Sequence, residues 1–151
     1  MSRSALGDAA GTGQLHISES KGVYTSLNDV NPAFADSIVG LNFTRNENVS
    51  TSMLDLLLAK EPALDNCQNL LLKIDTQGHD FKVLRGGLQI LSKVKMIIVE
   101  LPFQNIHDSG DTYQDILEFM DRAGFGVYGL SPISLDDAGA IIEADGFFFR
   151  R

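Results

Sequence analysis

A buried strand that ends in charged and polar residues is the feature that most restricts how this chain folds. Residues 69–87 have the sequence NLLLKIDTQGHDFKVLRGG. The nearly continuous apolar run of Leu70–Asp75 is typical of a strand that is covered on both faces of a sheet. The apolar residues Phe81 and Leu84 then recur at helical spacing from about His79 onwards. The stretch therefore predicts a strand, a polar turn and a helix.

Helical and strand-like patterns alternate from Ser50 to the end of the chain. This alternation predicts an α/β fold with a mostly parallel sheet, helices on both faces and an antiparallel hairpin at its carboxyl-terminal edge. We expect a single domain over residues 1–151. The other predicted elements are a helix capped by one of Ser50, Thr51 and Ser52 and ended by Pro62, the strand Met96–Leu101, a helix from Asp111 or Thr112 to Gly124, and strands at Phe125–Leu130, Ala140–Ala144 and Gly146–Arg150.

The first 48 residues are rich in Ser, Gly, Asn and Asp and give weaker structural signals. We predict two short strands there, Gln14–Ser18 and Ile38–Phe43, with turns between them.

The composition excludes several classes of protein. The net charge is -8, from 12 basic and 20 acidic residues, and no basic cluster exceeds the pair Arg150-Arg151. A nucleic-acid partner is therefore not expected, because binding a phosphate backbone needs concentrated positive charge. No apolar run has the length of a membrane span, and Met1 opens no signal-peptide pattern. With the single Cys67, these features predict a cytoplasmic protein.

Four residues make the strand ends candidates for chemistry. Ligands of open α/β sheets bind beyond the carboxyl ends of the strands, where Asp75 and Glu100 end two predicted strands. Lys73 lies two residues before Asp75 and so projects from the same sheet face, where one positive charge could serve both acids. His79, at the start of the next helix, could reach over the same edge.

The same residues also allow plainer interpretations. Lys73 could simply neutralise Asp75 and Glu100 in a buried ionic cluster, and His79 could be a helix cap or a surface residue. Asp75 and Glu100 could alternatively be hard oxygen ligands of a metal ion. His16 and His107 have no ligand spacing between them, so we expect no histidine metal site.

In combination, these motifs resemble the FkbM family of S-adenosylmethionine-dependent methyltransferases. The resemblance lies in LLLKIDTQGHDFKVLRGG, IIVELPF, a helix ending in AGF, and the terminal EADGFFFRR. The family often has Glu where Asp80 stands. Upstream, Ala5-Leu6-Gly7-Asp8 followed by Gly11 resembles a family segment that lies near the adenine of the cofactor.

The resemblance implies a Rossmann-like methyltransferase sheet of seven strands. It implies transfer of a methyl group from S-adenosylmethionine, usually to an oxygen of a small molecule or sugar. Asp75, His79 and Glu100 would supply the base, with Lys73 balancing their charge. Ala5, Leu6, Asp8 and Gln77 would lie at the cofactor.

The family pattern begins with a strand and a Gly-rich turn that would precede Ala5, so we expect a truncated domain whose amino-terminal strands are missing. The strand Leu70–Asp75 would then have an unpaired edge. An edge of this kind tends to pair with another strand, so we predict that the amino-terminal segment or a second copy of the chain covers it. A non-catalytic α/β interaction module that does not bind the cofactor is the alternative function.

Overall fold

The computed structural model describes residues 4–18, 25–32, 34, 43–64, 66–67, 69–108 and 111–151. These residues form a mixed α/β structure with two separate sheets, one of three strands and one of four. The α/β class expected from the sequence is therefore confirmed, whereas the division into two sheets was not predicted.

The smaller sheet contains β1 (Ser4–Gly7), β2 (Gly11–Ser18) and β3 (Phe43–Met53). The central strand is β3, which runs parallel to β1 and antiparallel to β2. The predicted strand at residues 14–18 is part of β2. Of the predicted strand at residues 38–43, only Phe43 is described, as the first residue of β3, and residues 38–42 lie outside the described residues.

The predicted helix cap at Ser50, Thr51 and Ser52 was wrong, because these residues belong to β3. They pair with Ser4, Ala5 and Leu6 of β1. The following helix, α1, is limited to Leu54–Leu58, and its N-cap residue Met53 makes no side-chain capping bond. Serine and threonine fit strands as well as caps, so residue type alone did not distinguish the two.

The larger sheet contains β4 (Leu70–Ile74), β5 (Val94–Pro102), β6 (Phe125–Leu135) and β7 (Ile141–Arg150) in the order β4-β5-β7-β6. Only β4 and β5 are parallel, since β7 is antiparallel to both β5 and β6. The expectation of a mostly parallel sheet was therefore wrong for this sheet. The two short strands predicted at its end are one continuous strand, β7, which forms the hairpin with β6.

Two further helices connect these strands. Helix α2 (Asp80–Arg85) lies between β4 and β5, and α3 (Tyr113–Arg122) lies between β5 and β6. The predicted start of α3 is confirmed, because the Thr112 side chain accepts the backbone N–H of Asp115 in a capping box. Gly124 follows α3 with a φ of 83°, the left-handed conformation that ends many helices.

The helices pack on one face of the larger sheet. Leu72, Ile97 and Phe148 are in register across β4, β5 and β7 on this face, and Ile97 and Phe148 are almost completely buried. On the opposite face, Leu71 and Phe149 keep 60% and 42% of their surface exposed. Among the described residues, helices therefore cover one face, whereas the sequence predicted cover on both.

The smaller sheet contacts the larger unit where β1 meets the end of α2. A Cβ atom added to Gly86 would lie 2.1 Å from the Gly7 carbonyl oxygen. Arg85 also forms an ion pair with Asp8 at 2.7 Å. Glycine is therefore required at position 86 for close packing. Backbone conformation does not require it, because the φ of -76° at this position is accessible to any residue.

Strand β4 has one unpaired edge in the described part of the chain. It pairs with β5 alone, and the described amino-terminal strands form their own sheet. The expectation that the amino-terminal segment covers this edge was therefore wrong for the described residues, and pairing with a second copy stays a prediction.

None of the helices in the described part of the chain combines the length and the apolar character needed to cross a membrane.

We expect Gly86→Ala to destabilise the protein by about 1–3 kcal/mol, because overpacking displaces α2 from β1. The matched control is Gly129→Ala, where an added Cβ meets nothing within 4 Å. The free energies of unfolding from urea denaturation compare the two variants. Equal stability of both would contradict a close-packing role for Gly86.

We expect the wild-type chain to dimerise through β4 and Leu71→Lys to shift it towards a monomer, because a charge on an exposed edge opposes strand pairing. Size-exclusion chromatography with light scattering gives the mass. Ile133→Lys, at a residue of β6 that is also half exposed, is the control. A monomeric wild type, or an equal effect of the two substitutions, would sink this prediction.

Candidate functional site

Asp75 and Glu100 lie side by side at one rim of the larger sheet. The parallel strands β4 and β5 pair Ile74 with Val99, so Asp75 and Glu100 are the next residues at the end of this pairing. The expectation that Glu100 ends its strand was wrong, because β5 continues to Pro102 along β7. Asp75 is exposed, whereas Glu100 keeps only 7% of its surface exposed. The two carboxylates therefore have different environments.

Lys73 interacts with Asp75 and Asp145 and not with Glu100. Its Nζ donates to Asp145 Oδ1 at 2.8 Å and lies 3.4 Å from Asp75 Oδ2. Partial burial lowers the pKa of Lys73, but the hydrogen bond and charge of Asp145, helped by Asp75, outweigh it and leave the pKa raised. The sequence placed one positive charge between Asp75 and Glu100, but the structure places it between Asp75 and Asp145. The two differ because sequence analysis did not recognise Asp145 as a partner of Lys73. Asp145 lies in β7, which is separated from β4 by β5.

Glu100 is a buried acid without a cationic partner. Among the described residues, burial and other carboxyl groups shift its pKa, and no cation does. Burial, followed by the negative charges of Glu143 and Asp80, raises the pKa of Glu100 from 4.5 to about 8. Desolvation disfavours the charged form of a carboxyl group, so Glu100 is mainly protonated at neutral pH.

Glu100 lines a small cavity between the sheet rim and the loop after β5. The cavity has a volume of about 20 Å³, which is enough for one water-sized group. Besides Glu100, its polar lining residues are Asp80, Asn105, His107, Asp111 and Glu143. We call this space the rim cavity.

His107 closes the rim cavity against Gly78. The ring is 6% exposed, and its Nδ1 has no hydrogen-bond partner among the described residues. Burial lowers the pKa of His107 to about 4, so the ring is neutral. Gly78 has a φ of +84°, and a Cβ atom there would lie 2.6 Å from the His107 ring. A side chain at position 78 would therefore displace the ring.

Asp80 contributes a second buried carboxyl group to the cavity. It is 3% exposed, and its Oδ1 accepts the backbone N–H of Thr76 at 3.2 Å. Burial raises the pKa of Asp80 to about 6, although this hydrogen bond opposes the shift. Asp80 is the first residue of α2, a position that also favours negative charge.

His79 points away from the rim cavity. Its Nδ1 lies 3.3 Å from Asn28 Oδ1, and Asn28 Nδ2 donates to the Gly78 carbonyl. This arrangement makes Nδ1 the protonated nitrogen and leaves an acceptor lone pair on Nε2. Burial, and then the positive charge of Lys82, lower the pKa of His79 to about 4. The sequence expected His79 to reach over the acids, but it faces β1.

A second cavity, of about 250 Å³, lies beside His79. We call it the β1 cavity. It is lined by residues of the smaller sheet and of α2, among them Gly7, Asp8, Thr51, His79 and Lys82. A Cβ atom on Gly7 would lie 3.1 Å from His79 Nε2, so the glycine leaves this part of the cavity open.

The four residues that the sequence placed at a cofactor are divided by the structure. Asp8 lines the β1 cavity. Ala5 and Leu6 lie in β1, and Leu6 packs against the hydrophobic core. Gln77 lies in the turn after β4 with a φ of 51°, and its side chain donates to Asp75 at 3.2 Å. Ala5, Leu6 and Gln77 are not among the residues that line this cavity.

Residues 26–31 connect the two cavities, and we call them the bridging segment. Ser26 Oγ donates to the Gln77 carbonyl at 2.6 Å, next to the Asn28 contact with Gly78. On the other side, Val30 forms a β-bridge with His107. The bridging segment therefore contacts both the turn after β4 and His107, which lines the rim cavity.

A comparison of the sequence with models of protein families gives a match. The model of the methyltransferase FkbM domain matches residues 2–127 of the 151. The chain belongs to the FkbM methyltransferase family. The match includes β1, the turn after β4 and the loop that carries His107, whereas the terminal EADGFFFRR motif of β7 lies outside it.

No curated protein and no solved structure gives a significant match to this FkbM domain.

Sequence reasoning missed three residues that shape this FkbM site: Asn28, His107 and Glu143. His107 was dismissed because it shares no ligand spacing with His16. The position of His107 in the sequence could have indicated a role. It follows the end of strand β5 by a few residues and so lies on a loop at the carboxyl rim of the sheet. Asn28 and Glu143 come from distant parts of the chain and have no comparable signal.

We expect Glu100→Gln to become more stable relative to the wild type as the pH rises. In the wild type, the folded pKa of about 8 lies above the ordinary value of 4.5. Between these values the folded state keeps a proton that the unfolded state has lost, so stability falls as the pH rises. At pH 7 the relative gain should be roughly 3 kcal/mol.

Urea denaturation between pH 4.5 and 8.5 measures this effect, with Asp137→Asn as the control because Asp137 is an exposed turn residue. Parallel stability curves for the wild type and Glu100→Gln would contradict the buried environment of Glu100.

Proposed function

We propose that this chain is an S-adenosylmethionine-dependent methyltransferase that methylates a hydroxyl group of a small molecule or sugar. Family membership supports methyl transfer. The observation that supports hydroxyl chemistry best is Glu100, a buried carboxyl group with a pKa of about 8 in the rim cavity. A carboxylate with a raised pKa is a stronger base than an exposed one.

The β1 cavity fits one part of the cofactor. Its 250 Å³ is below the roughly 300–1,000 Å³ of typical ligand clefts, so it accommodates a fragment such as the adenine. Asp8, His79 and Lys82 would hold this fragment with polar groups, and Gly7 leaves space for it. Groups outside the described residues would complete the methionine end of the site.

S-adenosylmethionine, when bound, supplies a methyl group on a positively charged sulfur that leaves as a neutral thioether. The protein must then bring the acceptor oxygen into line, exclude water and remove one proton. As the oxygen–methyl bond forms, the hydroxyl proton passes to the ionised Glu100. His107 orients the acceptor, because its neutral ring borders the same cavity.

The other proposed catalytic residues act indirectly. Asp75 and Lys73 form an ion pair on the exposed side of the rim, where they stabilise the end of β4. His79 is a positioning residue of the β1 cavity, because Asn28 fixes its tautomer. We therefore assign the base role to Glu100.

The strand arrangement supports a Rossmann-like methyltransferase sheet. Strand β4, helix α2 and the parallel strand β5 form the expected crossover unit, and β7 adds an antiparallel strand as mixed sheets often do. Contacts of α2 with both sheets support treating residues 1–151 as one domain.

The test measures binding and chemistry separately. We expect the full chain to bind S-adenosylmethionine in isothermal titration calorimetry and to transfer a tritiated methyl group to alcohols such as methyl glycosides. Glu100→Gln should lower kcat by roughly 10²–10⁴-fold while leaving the Kd of the cofactor unchanged. Asp8→Asn should instead weaken cofactor binding, because Asp8 lines the β1 cavity.

Asp137→Asn is the matched control for charge removal at an exposed position. Absence of cofactor binding by the full chain would favour the non-catalytic interaction module. Cofactor binding with a kcat that Glu100→Gln leaves intact would remove Glu100 from the base role.

A further inference from the structure

We propose that the rim cavity binds a primary ammonium group, so that the acceptor of the methyl group is an amine-bearing alcohol. This inference rests on the proposed function, because it names the class of acceptor for the same site. It is supported by the charge, the burial and the size of the cavity, each of which restricts the ligand.

The charged side chains that line the rim cavity are all acidic. Four carboxyl groups line it, and Lys and Arg are absent from the described lining residues. Of the cations near the cavity, Lys73 is paired with Asp145 and Arg85 with Asp8. Lys82 of α2 acts on Asp111 electrostatically but does not line the cavity. The carboxyl groups are those of Asp80, Glu100, Asp111 and Glu143.

A buried polar group on the lining is independent evidence for a ligand, and Glu100 lies beside it. Glu100 is 7% exposed, and no cation of the described residues is among the groups that shift its pKa. His107 is 6% exposed, and its Nδ1 has no partner in the described part of the chain. Buried polar groups in folded proteins almost always have partners. A ligand with several donors would satisfy both of these groups.

The cavity volume agrees with an ammonium group. About 20 Å³ accommodates one group of the size of water, and an ammonium group has this size and three N–H donors. The rest of the acceptor would lie at the partly open mouth of the cavity. Its hydroxyl group would then be held close to Glu100.

A metal ion fits the same cavity less well. No group of three or more His, Cys, Asp or Glu residues in the described ranges has an arrangement that could hold a metal. Calcium needs six to eight oxygen ligands at about 2.3–2.6 Å. The carboxyl groups therefore surround the cavity without converging on a single point, which suits an organic cation with several donors.

An ammonium ligand would also activate the proposed base. In the free protein, burial and the surrounding acids keep the pKa of Glu100 near 8. A positive charge in the cavity favours the ionised carboxylate, so binding releases the proton of Glu100 to solvent. The groups that face Glu100 are Glu143 and Asp145 of β7, Asp80 of α2, Asp75 after β4, and His107 and Asp111 at the cavity wall.

The experiment compares 2-aminocyclohexanol with 1,2-cyclohexanediol, which has a second hydroxyl in place of the amine. The two groups are on adjacent carbons, so both can lie close to Glu100. Calorimetric titration of the full chain near pH 7, without cofactor, in two buffers of different ionisation enthalpy gives the affinity and the number of protons released. We expect the amine to bind about tenfold or more tightly than the diol and to release up to about one proton.

Glu100→Gln should abolish the proton release, and Asp137→Asn should leave it unchanged. Glu143→Gln is a second variant in case Glu100→Gln does not fold, and it should weaken amine binding. Equal affinities for the two compounds or no binding of either would overturn the proposal. Proton release that is unchanged in Glu100→Gln, or amine binding that is unchanged in Glu143→Gln, would also overturn it. Tight binding of magnesium chloride in place of the amine would overturn it as well.

Failure of this proposal is distinct from failure of the proposed function, because the titrations need no cofactor. A chain that binds S-adenosylmethionine but not the amine would keep the methyltransferase function and lose only the acceptor class.

Discussion

The close approach of Gly86 to the Gly7 carbonyl is the contact on which the rest of the structure depends. It brings the end of α2 against β1, and it holds the smaller sheet beside the larger one. The Asp8–Arg85 ion pair and the position of His79 follow from this contact. Two motifs that are far apart in the sequence, ALGD and LRGG, are therefore two sides of one packing interface. Close packing of this kind tolerates no added methyl group without displacement.

The two cavities on either side of the turn after β4 differ in the charge of their linings. The β1 cavity has charges of both signs, Asp8 and Lys82, beside a neutral His79. The rim cavity contains several acids, and burial, followed by the charges of Glu143 and Asp80, raises the pKa of Glu100. Burial of a carboxyl group without a partner is costly.

The sequence predicted the local elements better than their assembly. The β4–α2–β5 unit, the Thr112 cap and the Gly124 end of α3 followed from apolar spacing and cap residues. The strand β3 was missed because its polar sequence FTRNENVSTSM lacks the alternation that marks a half-buried strand. Asp75 and Glu100 were correctly placed at one rim, but the ion pair of Lys73 with Asp145 depends on a contact across 72 positions. Burial, which separates the roles of the two acids, arises only from the assembled structure.

The bridging segment has a consequence for the geometry between the two cavities. Ser26 and Asn28 hold the carbonyls of Gln77 and Gly78, while Val30 and Asn31 hold the loop that carries His107. Gln77 adopts a left-handed conformation that is uncommon for a residue with a side chain. The peptide units between the cavities are thus locked in orientation. The distance between the two cavities is consequently set by the backbone and not by side chains that can change rotamer.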